Sequence, residues 1–240
     1  MAAEEKNGLL WPPLIKGRLV RRYKRFLADV QLENGQLVTA HCPNSGRMIS
    51  CSEPGRPVYL SRANNPKRRL PYTWELIDMP SSLVGVNTIV PNRLVKKAII
   101  EHQIPELDGY LIINSEVPYG QNSRIDLLLS NPEQEKRCYV EIKNCTLVED
   151  GLAMFPDAVT SRGLKHLVEL EKQVAEEQRG IIFFLIQRMD AQRFRPADHI
   201  DPAYGRQLRH ARDHGVELVI YDVFIDTKRI SIGHPLPASF

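Results

Sequence analysis

Asp126, Glu141 and Lys143 carry the most chemistry for their spacing. They sit in Arg124-Ile125-Asp126-Leu127-Leu128-Leu129 and Cys138-Tyr139-Val140-Glu141-Ile142-Lys143, two short apolar runs separated by a turn through Asn131-Pro132. Such a pattern predicts a β-hairpin. On its second strand Glu141 and Lys143 share one face while Val140 and Ile142 share the other. Pairing across the turn brings Asp126 beside Glu141. Two carboxylates are hard-oxygen ligands for Mg²⁺ or Mn²⁺, and a lysine beside them can hold a water or neutralise charge on a phosphate. The plain alternative is a solvated strand face with an ordinary Glu-Lys pair, so context must decide.

The elements that would position these groups follow from the rest of the chain. From Asn92 onward the expected order is helix, three strands, helix, strand, helix, strand. Asn92 reads as the N-cap of a helix over Arg93–Gln103. Gly109 to Val117 reads as a strand, followed by a turn through Tyr119-Gly120-Gln121-Asn122. Glu116, near that turn, is a candidate third carboxylate. An irregular stretch over Asn144–Asp157 could cover the site. The next helix spans about Ala158 to Gln178, with Arg162, Lys165 and His166 at i, i+3 and i+4, either to meet phosphate at the positive helix N-terminus or simply to face water. Ile181 to Ile186 is a continuous apolar strand, as expected of one buried on both faces. Asp201-Pro202 opens a last helix that Gly215 closes. Its His210 and His214 read as a surface pair rather than a zinc site. Val216 to Ile225 is the last clear strand.

Before residue 80 the sequence reads as about five short strands, and a small oligonucleotide-binding barrel is the first candidate. Residues 1–80 are assigned to it, 81–91 to a connector and 92–240 to the α/β domain. The opening seven residues are polar and expected to fray. The barrel holds a basic-aromatic cluster, Arg18 with Arg21-Arg22-Tyr23-Lys24-Arg25-Phe26, suited to phosphates and unstacked bases. Asn44 and Arg47 lie in a Pro-Asn-Ser-Gly-Arg loop that could offer backbone amides to an anion, or could be a plain turn.

Composition sets bounds. The chain has 240 residues, 42% hydrophobic and 25% charged, with a net charge of +3. Folding into one or two real cores is expected. The near-neutral balance means that nucleic-acid binding must come from local clusters. Cys42, Cys51, Cys138 and Cys145 form no C-x-x-C pair, which fits reduced thiols in a cytoplasmic protein. Neither a secretion signal nor an apolar run long enough to span a bilayer is present, so no membrane partner is expected.

Two resemblances sharpen this reading. The α/β order with Asp126 on the second core strand and Glu141-x-Lys143 on the third, fifteen residues apart between the acids, resembles the PD-(D/E)XK restriction-endonuclease-like fold. The whole chain resembles the sugar fermentation stimulation protein A family. That likeness rests on His41-Cys42-Pro43-Asn44-Ser45-Gly46-Arg47-Met48, Gly85-Val86-Asn87-Thr88, Arg124-Ile125-Asp126, Val140-Glu141-Ile142-Lys143-Asn144 and Arg162-Gly163-x-Lys165-His166-Leu167. It implies a barrel joined to a nuclease-like domain, non-sequence-specific DNA binding and a regulatory role in maltose metabolism. The alternative is a Mg²⁺-dependent nuclease acting on DNA or RNA, with Asp126 and Glu141 as ligands. Single-stranded DNA and RNA are further partner classes, and the oligomeric state, monomer or homodimer, is left open.

Overall fold

The computed structural model describes residues 8–65, 67–120 and 123–240. The opening seven residues, and the Gln121-Asn122 part of the expected turn, lie outside them. Strand β1 (Leu9–Leu10) opens the described chain, and it pairs with the last strand of the C-terminal sheet, not with the barrel. The barrel follows as β2 (Leu14–Tyr23), β3 (Leu27–Leu32), β4 (Leu37–His41), β5 (Pro57–Arg62), β6 (Tyr72–Asp78) and β7 (Leu83–Gly85). The sheet order is β4-β3-β2-β5-β6-β7, and a parallel β4–β6 pairing closes it. Alternation drives this closure: Leu19, Ala28, Val30, Ala40, Leu60 and Trp74 point inward and are fully buried, which leaves the basic residues of β2 outside.

The expected connector is partly structured. Its Leu83 to Gly85 extend the barrel sheet as β7, and helix α1 (Val90–Ile100) begins within it. Asn92 is therefore not an N-cap. Pro91 occupies the first turn, where its missing N–H costs nothing, so the helix starts earlier than the Asn signal indicated.

The C-terminal half continues with β8 (Ile112–Tyr119), β9 (Ser123–Ser130), β10 (Cys138–Cys145), β11 (Leu147–Glu149) and β12 (Leu152–Phe155). Then come α2 (Ser161–Ala175), β13 (Arg179–Ile186), β14 (Arg193–Pro196), α3 (Pro202–Asp213), β15 (Glu217–Ile225) and β16 (Arg229–Pro235). The stretch after Lys143 is thus no plain loop: β11 and β12 form a hairpin around Asp150 and Gly151, both at positive φ. The tail beyond Thr227, uninformative as sequence, supplies β16.

Seven strands make one mixed sheet, ordered β1-β16-β15-β13-β10-β9-β8. Its centre is parallel, β10 with β13 and β13 with β15, and β13 is buried on both faces as its unbroken apolar run requires. Val140, Ile142, Phe183 and Leu185 meet α1 and the barrel's Leu76 on one side. Leu128, Ile182 and Phe184 meet Leu167, Leu170 and Leu208 of α2 and α3 on the other. Among the described residues no helix is long and apolar enough to cross a membrane.

The two halves are clamped together. Arg188, 3% exposed, gives Nη1 to Ser50 Oγ and Thr146 O at 3.1 and 3.0 Å and grips Asp190 with both of its other nitrogens. Asp157 accepts the N–H of Met48 at 2.8 Å, pinning the barrel loop to the segment before α2.

Candidate active site

The site exists because two strands part. β9 and β10 pair as Leu129–Cys138, Leu128–Tyr139 and Leu127–Val140, and the next register pair would be Asp126 with Glu141. There the ladder stops. Asp126 Oδ2 takes the N–H of Ile142 at 2.7 Å in place of a backbone carbonyl, and Oδ1 accepts from Asn92 Nδ2 at 2.7 Å. A strand that has lost its neighbour opens a cleft. β10 stays rigid all the same, because β13 continues the ladder on its other edge as far as Cys145–Ile186.

On that strand Glu141 and Lys143 face α2, as alternation requires. Lys143 Nζ donates to Glu141 Oε1 at 2.6 Å and lies 3.2 Å from His166 Nδ1. His166 Nδ1 also bonds Glu141 Oε1, while its Nε2 accepts from Arg162 Nε at 3.3 Å. With Nε2 used as an acceptor, the network assigns the ring proton to Nδ1, where it is donated to Glu141. Thr160 caps α2 by accepting the N–H of Gly163, which sets the turn that carries Arg162 and His166.

Electrostatics follow from this packing. Burial, and then the Glu141 charge, push the Asp126 carboxyl up to about 6. Burial also acts on Glu141, but Lys143 and His166 outweigh it and hold that carboxyl below its usual range. Burial first and Glu141 second raise the phenols of Tyr119 and Tyr204. Glu141 Oε2, Tyr119 Oη and Tyr204 Oη are all buried without a hydrogen-bond partner.

That orphaned oxygen is the test of a metal. Glu141 is 3% exposed, its Oε1 is fully committed, and its Oε2 is left bare beside a second carboxylate. Among the described residues no three His, Cys, Asp or Glu side chains converge as metal ligands. A closed zinc-type site is therefore absent there, but a hard cation that keeps most of its waters needs only one or two carboxylates, and Asp126 with Glu141 fits it. The cleft above them, about 320 Å³, is also walled by Ser45 of the barrel, Thr88 of the linker and Asn144.

The remaining residues singled out in the sequence separate into groups. Glu116 is exposed, holds a left-handed φ of 56° and does not line the cleft, although its register position lies across from Asp126. Exposed there, it is not grouped with Asp126 and Glu141, and among the described residues the three-carboxylate grouping does not form. Arg22 is spent on protein carbonyls: those of Arg25, Asn44, Gly46 and Arg47, at 2.8 to 3.2 Å. It builds the loop instead of reaching for phosphate. Arg21 pairs with Asp29 at 2.8 Å and lies over the Tyr23 ring, whose hydroxyl donates to the same carboxylate. Arg18 donates to Gly55 O. Asn44 is buried and turns the loop, accepting from Gly46 N–H and donating to Val86 O. Lys24 and Arg25 form the exposed left-handed tip between β2 and β3, and Arg47 is exposed on the neighbouring loop. Lys165 is exposed on α2. His210 and His214 stack at 4.0 Å, with their Nδ1 atoms taken by Glu171 and by the His210 carbonyl. Sequence reading missed Asn92, Thr88 and Ser45 as wall residues, since each reads locally as a cap or turn.

With the geometry in place, comparison is informative. The family description "Sugar fermentation stimulation protein RE domain" matches residues 89–229, and "SfsA N-terminal OB domain" matches 20–86. The sugar fermentation stimulation protein homolog of Pelobacter propionicus is 57% identical over 226 residues, 94% of this chain and 97% of that one. The chain belongs to the sugar fermentation stimulation protein family. The homolog of Geobacter sulfurreducens is 54% identical over 94% of this chain and 96% of its own. The Pyrococcus furiosus SfsA structure, solved in complex with Ca²⁺, is 26% identical, superposes with a TM-score of 0.89 and covers 98% of this chain and 99% of that one. The family architecture is thus an oligonucleotide-binding-type barrel followed by a restriction-endonuclease-like α/β domain.

Proposed function

We propose that this member of the family binds nucleic acid without sequence preference and, with a divalent cation, hydrolyses a phosphodiester bond in the Asp126–Glu141–Lys143 cleft. One observation carries the reading: a 3% exposed carboxylate whose Oε1 is fixed by two donors while Oε2 is left without a partner, beside a second acid and a lysine. A protein that merely bound DNA would gain nothing from two buried carboxylates lining the cleft, because without a cation they repel phosphate. The P. furiosus relative was solved in complex with Ca²⁺, which supports divalent-cation binding by this chain.

Asp126 and Glu141 would hold the cation, which when bound polarises a phosphoryl oxygen and lowers the pKa of a bound water. The chain's own groups do the rest. Asn92 and the Ile142 N–H fix the Asp126 carboxylate. His166 fixes Oε1 of Glu141 and leaves Oε2 without a protein partner, available to a cation. Lys143, 11% exposed at its side chain, sets a positive charge where negative charge develops on the phosphoryl group. Arg162, in the first turn of α2, adds a second cation at a helix N-terminus. Lys24, Arg25 and Arg47 on the barrel tip and loop attract the phosphate backbone through exposed charge. The sugar-fermentation effect in the family name, and any role in maltose regulation, would lie downstream of this activity.

The test is a paired assay of wild type and Glu141→Ala on labelled single-stranded and duplex DNA and RNA, in EDTA, Mg²⁺ or Mn²⁺. Metal-dependent cleavage that Glu141→Ala abolishes supports the enzyme. Salt-sensitive binding with no cleavage on any substrate leaves a nucleic-acid-binding protein and removes the catalytic half of the proposal.

A further inference from the structure

Beside the carboxylate cleft lies a second cavity of about 250 Å³, formed where the barrel loop meets the segment leading into α2. The two share Ser45, Thr88, Asn144, Phe155 and Thr160 as walls, so they adjoin, and together they are called the trough. Their chemistry differs. The first chamber places Lys143 and Arg162 beside the acids. The second has Asp157 in its wall, with Arg25 at the exposed tip as the single cation among its described lining residues. Asp157 is held in place by the Met48 N–H, and a Cβ at Gly46 would stand 2.4 Å from its Oδ1, so the loop is closed down tightly on it.

A phosphate over a fixed carboxylate is repelled, whereas an uncharged heterocycle can donate N–H groups to it. The rest of the lining suits a heterocycle as well. The half-buried Phe155 ring is braced at 5.4 Å from Phe184 and 5.2 Å from Tyr204. Val159, 76% exposed, stands at the lip. Phe155 in the wall and Val159 at the lip offer apolar faces on which an unstacked base can rest.

Depth adds an independent constraint. Glu141 and Lys143 are 3% and 11% exposed at their side chains, so a phosphate must enter the trough to meet them. A single strand bends into such a recess at low cost, whereas bending a duplex, a stiff rod, costs elastic energy.

We infer that the trough takes a single-stranded polynucleotide, with one unstacked base in the Asp157–Phe155 cavity and the adjoining phosphate in the Asp126–Glu141 cleft. This rests on the nucleic-acid reading above and adds the strand form and a base subsite.

The experiment uses the full chain in Ca²⁺ with phosphorothioate-linked fluorescent oligonucleotides, as a single strand and as the matching duplex at equal salt. A strand carrying 2-aminopurine reports unstacking. The single strand should bind about ten-fold tighter than the duplex, with 2-aminopurine emission rising on binding. Val159→Asp, at an exposed position, should weaken single-strand binding about ten-fold while Ca²⁺ affinity by calorimetry stays unchanged. Val159→Ala, which adds no charge, should shift it less and in the same direction. Equal affinity for both forms, or single-strand binding indifferent to Val159→Asp, overturns the subsite while leaving the proposed function standing. Failure of the wild type to bind either form overturns both.

Discussion

At the scale of single residues, the site is a balance between two buried acids and the donors that restrain them. Asp126 is raised to about 6, so without metal the folded protein holds its proton between the unfolded value near 4 and that point. The native state then binds more protons than the unfolded state, and stability falls as pH rises through this window. Asp126→Asn should therefore stabilise the metal-free protein by about 2 kcal/mol at pH 8 and leave it nearly unchanged at pH 4. Urea titrations at the two pH values check the sign, and an equal effect at both would remove burial of charge as the cause. Glu141→Gln should reduce Mn²⁺ or Ca²⁺ affinity by about ten-fold or more. His166→Ala should loosen Oε1 and cost metal affinity, within the about 10- to 100-fold typical of groups that orient a ligand, whereas His166→Asn keeps a donor near the Nδ1 position and should recover much of it. Calorimetric titration of the three variants reads this directly, and Asn performing no better than Ala would deny His166 its positioning role.

At the scale of elements, the barrel loop over residues 44–48 depends on one arginine. Four carbonyls accept from Arg22, so Arg22→Ala should destabilise the protein by about 1–2 kcal/mol and speed amide exchange in this loop. Arg22→Lys should recover only part of this, because an ammonium cannot serve carbonyls spread around a planar fork. Lys24→Ala, on the exposed turn, should leave stability alone and lower the salt dependence of nucleic-acid binding by about one counterion. Exchange rates that respond to Lys24→Ala but not to Arg22→Ala would reverse these assignments.

At the scale of the whole molecule, the barrel and the α/β sheet share buried polar contacts and an apolar core that includes Leu76 of β6 with Val140 and Phe183. A single cooperative calorimetric transition is expected. Arg188→Ala should lower stability by about 3 kcal/mol, because Asp190 is left half-buried without its partner and the Ser50 and Thr146 contacts go with it. Two resolved transitions in the wild type would show that the halves fold independently. The same clamps keep Ser45 and Thr88 against the carboxylate cleft, so Arg188→Ala should also slow any metal-dependent cleavage.

What the sequence alone determined was local and periodic. Alternation placed Glu141 and Lys143 on one face, register across the turn put Asp126 beside Glu141, and the Asp201-Pro202 and Gly215 signals bounded α3. The family likeness added the two-part architecture. Other features needed tertiary contacts. That the ladder breaks after Leu127–Val140, so that Asp126 takes the Ile142 N–H, depends on Asn92 arriving from a helix thirty-four positions away. Arg22 and Lys24 look alike in a basic run, yet one is consumed by carbonyls and the other is left in water, a difference set by where the 44–47 loop folds back. β1 and β16 pair between the two ends of the described chain, and no short-range pattern encodes a partner so distant. Periodicity reports which face a side chain takes, because that follows from bonds between neighbours. What waits opposite that face is set by packing between segments far apart in the chain, and only the folded molecule decides it.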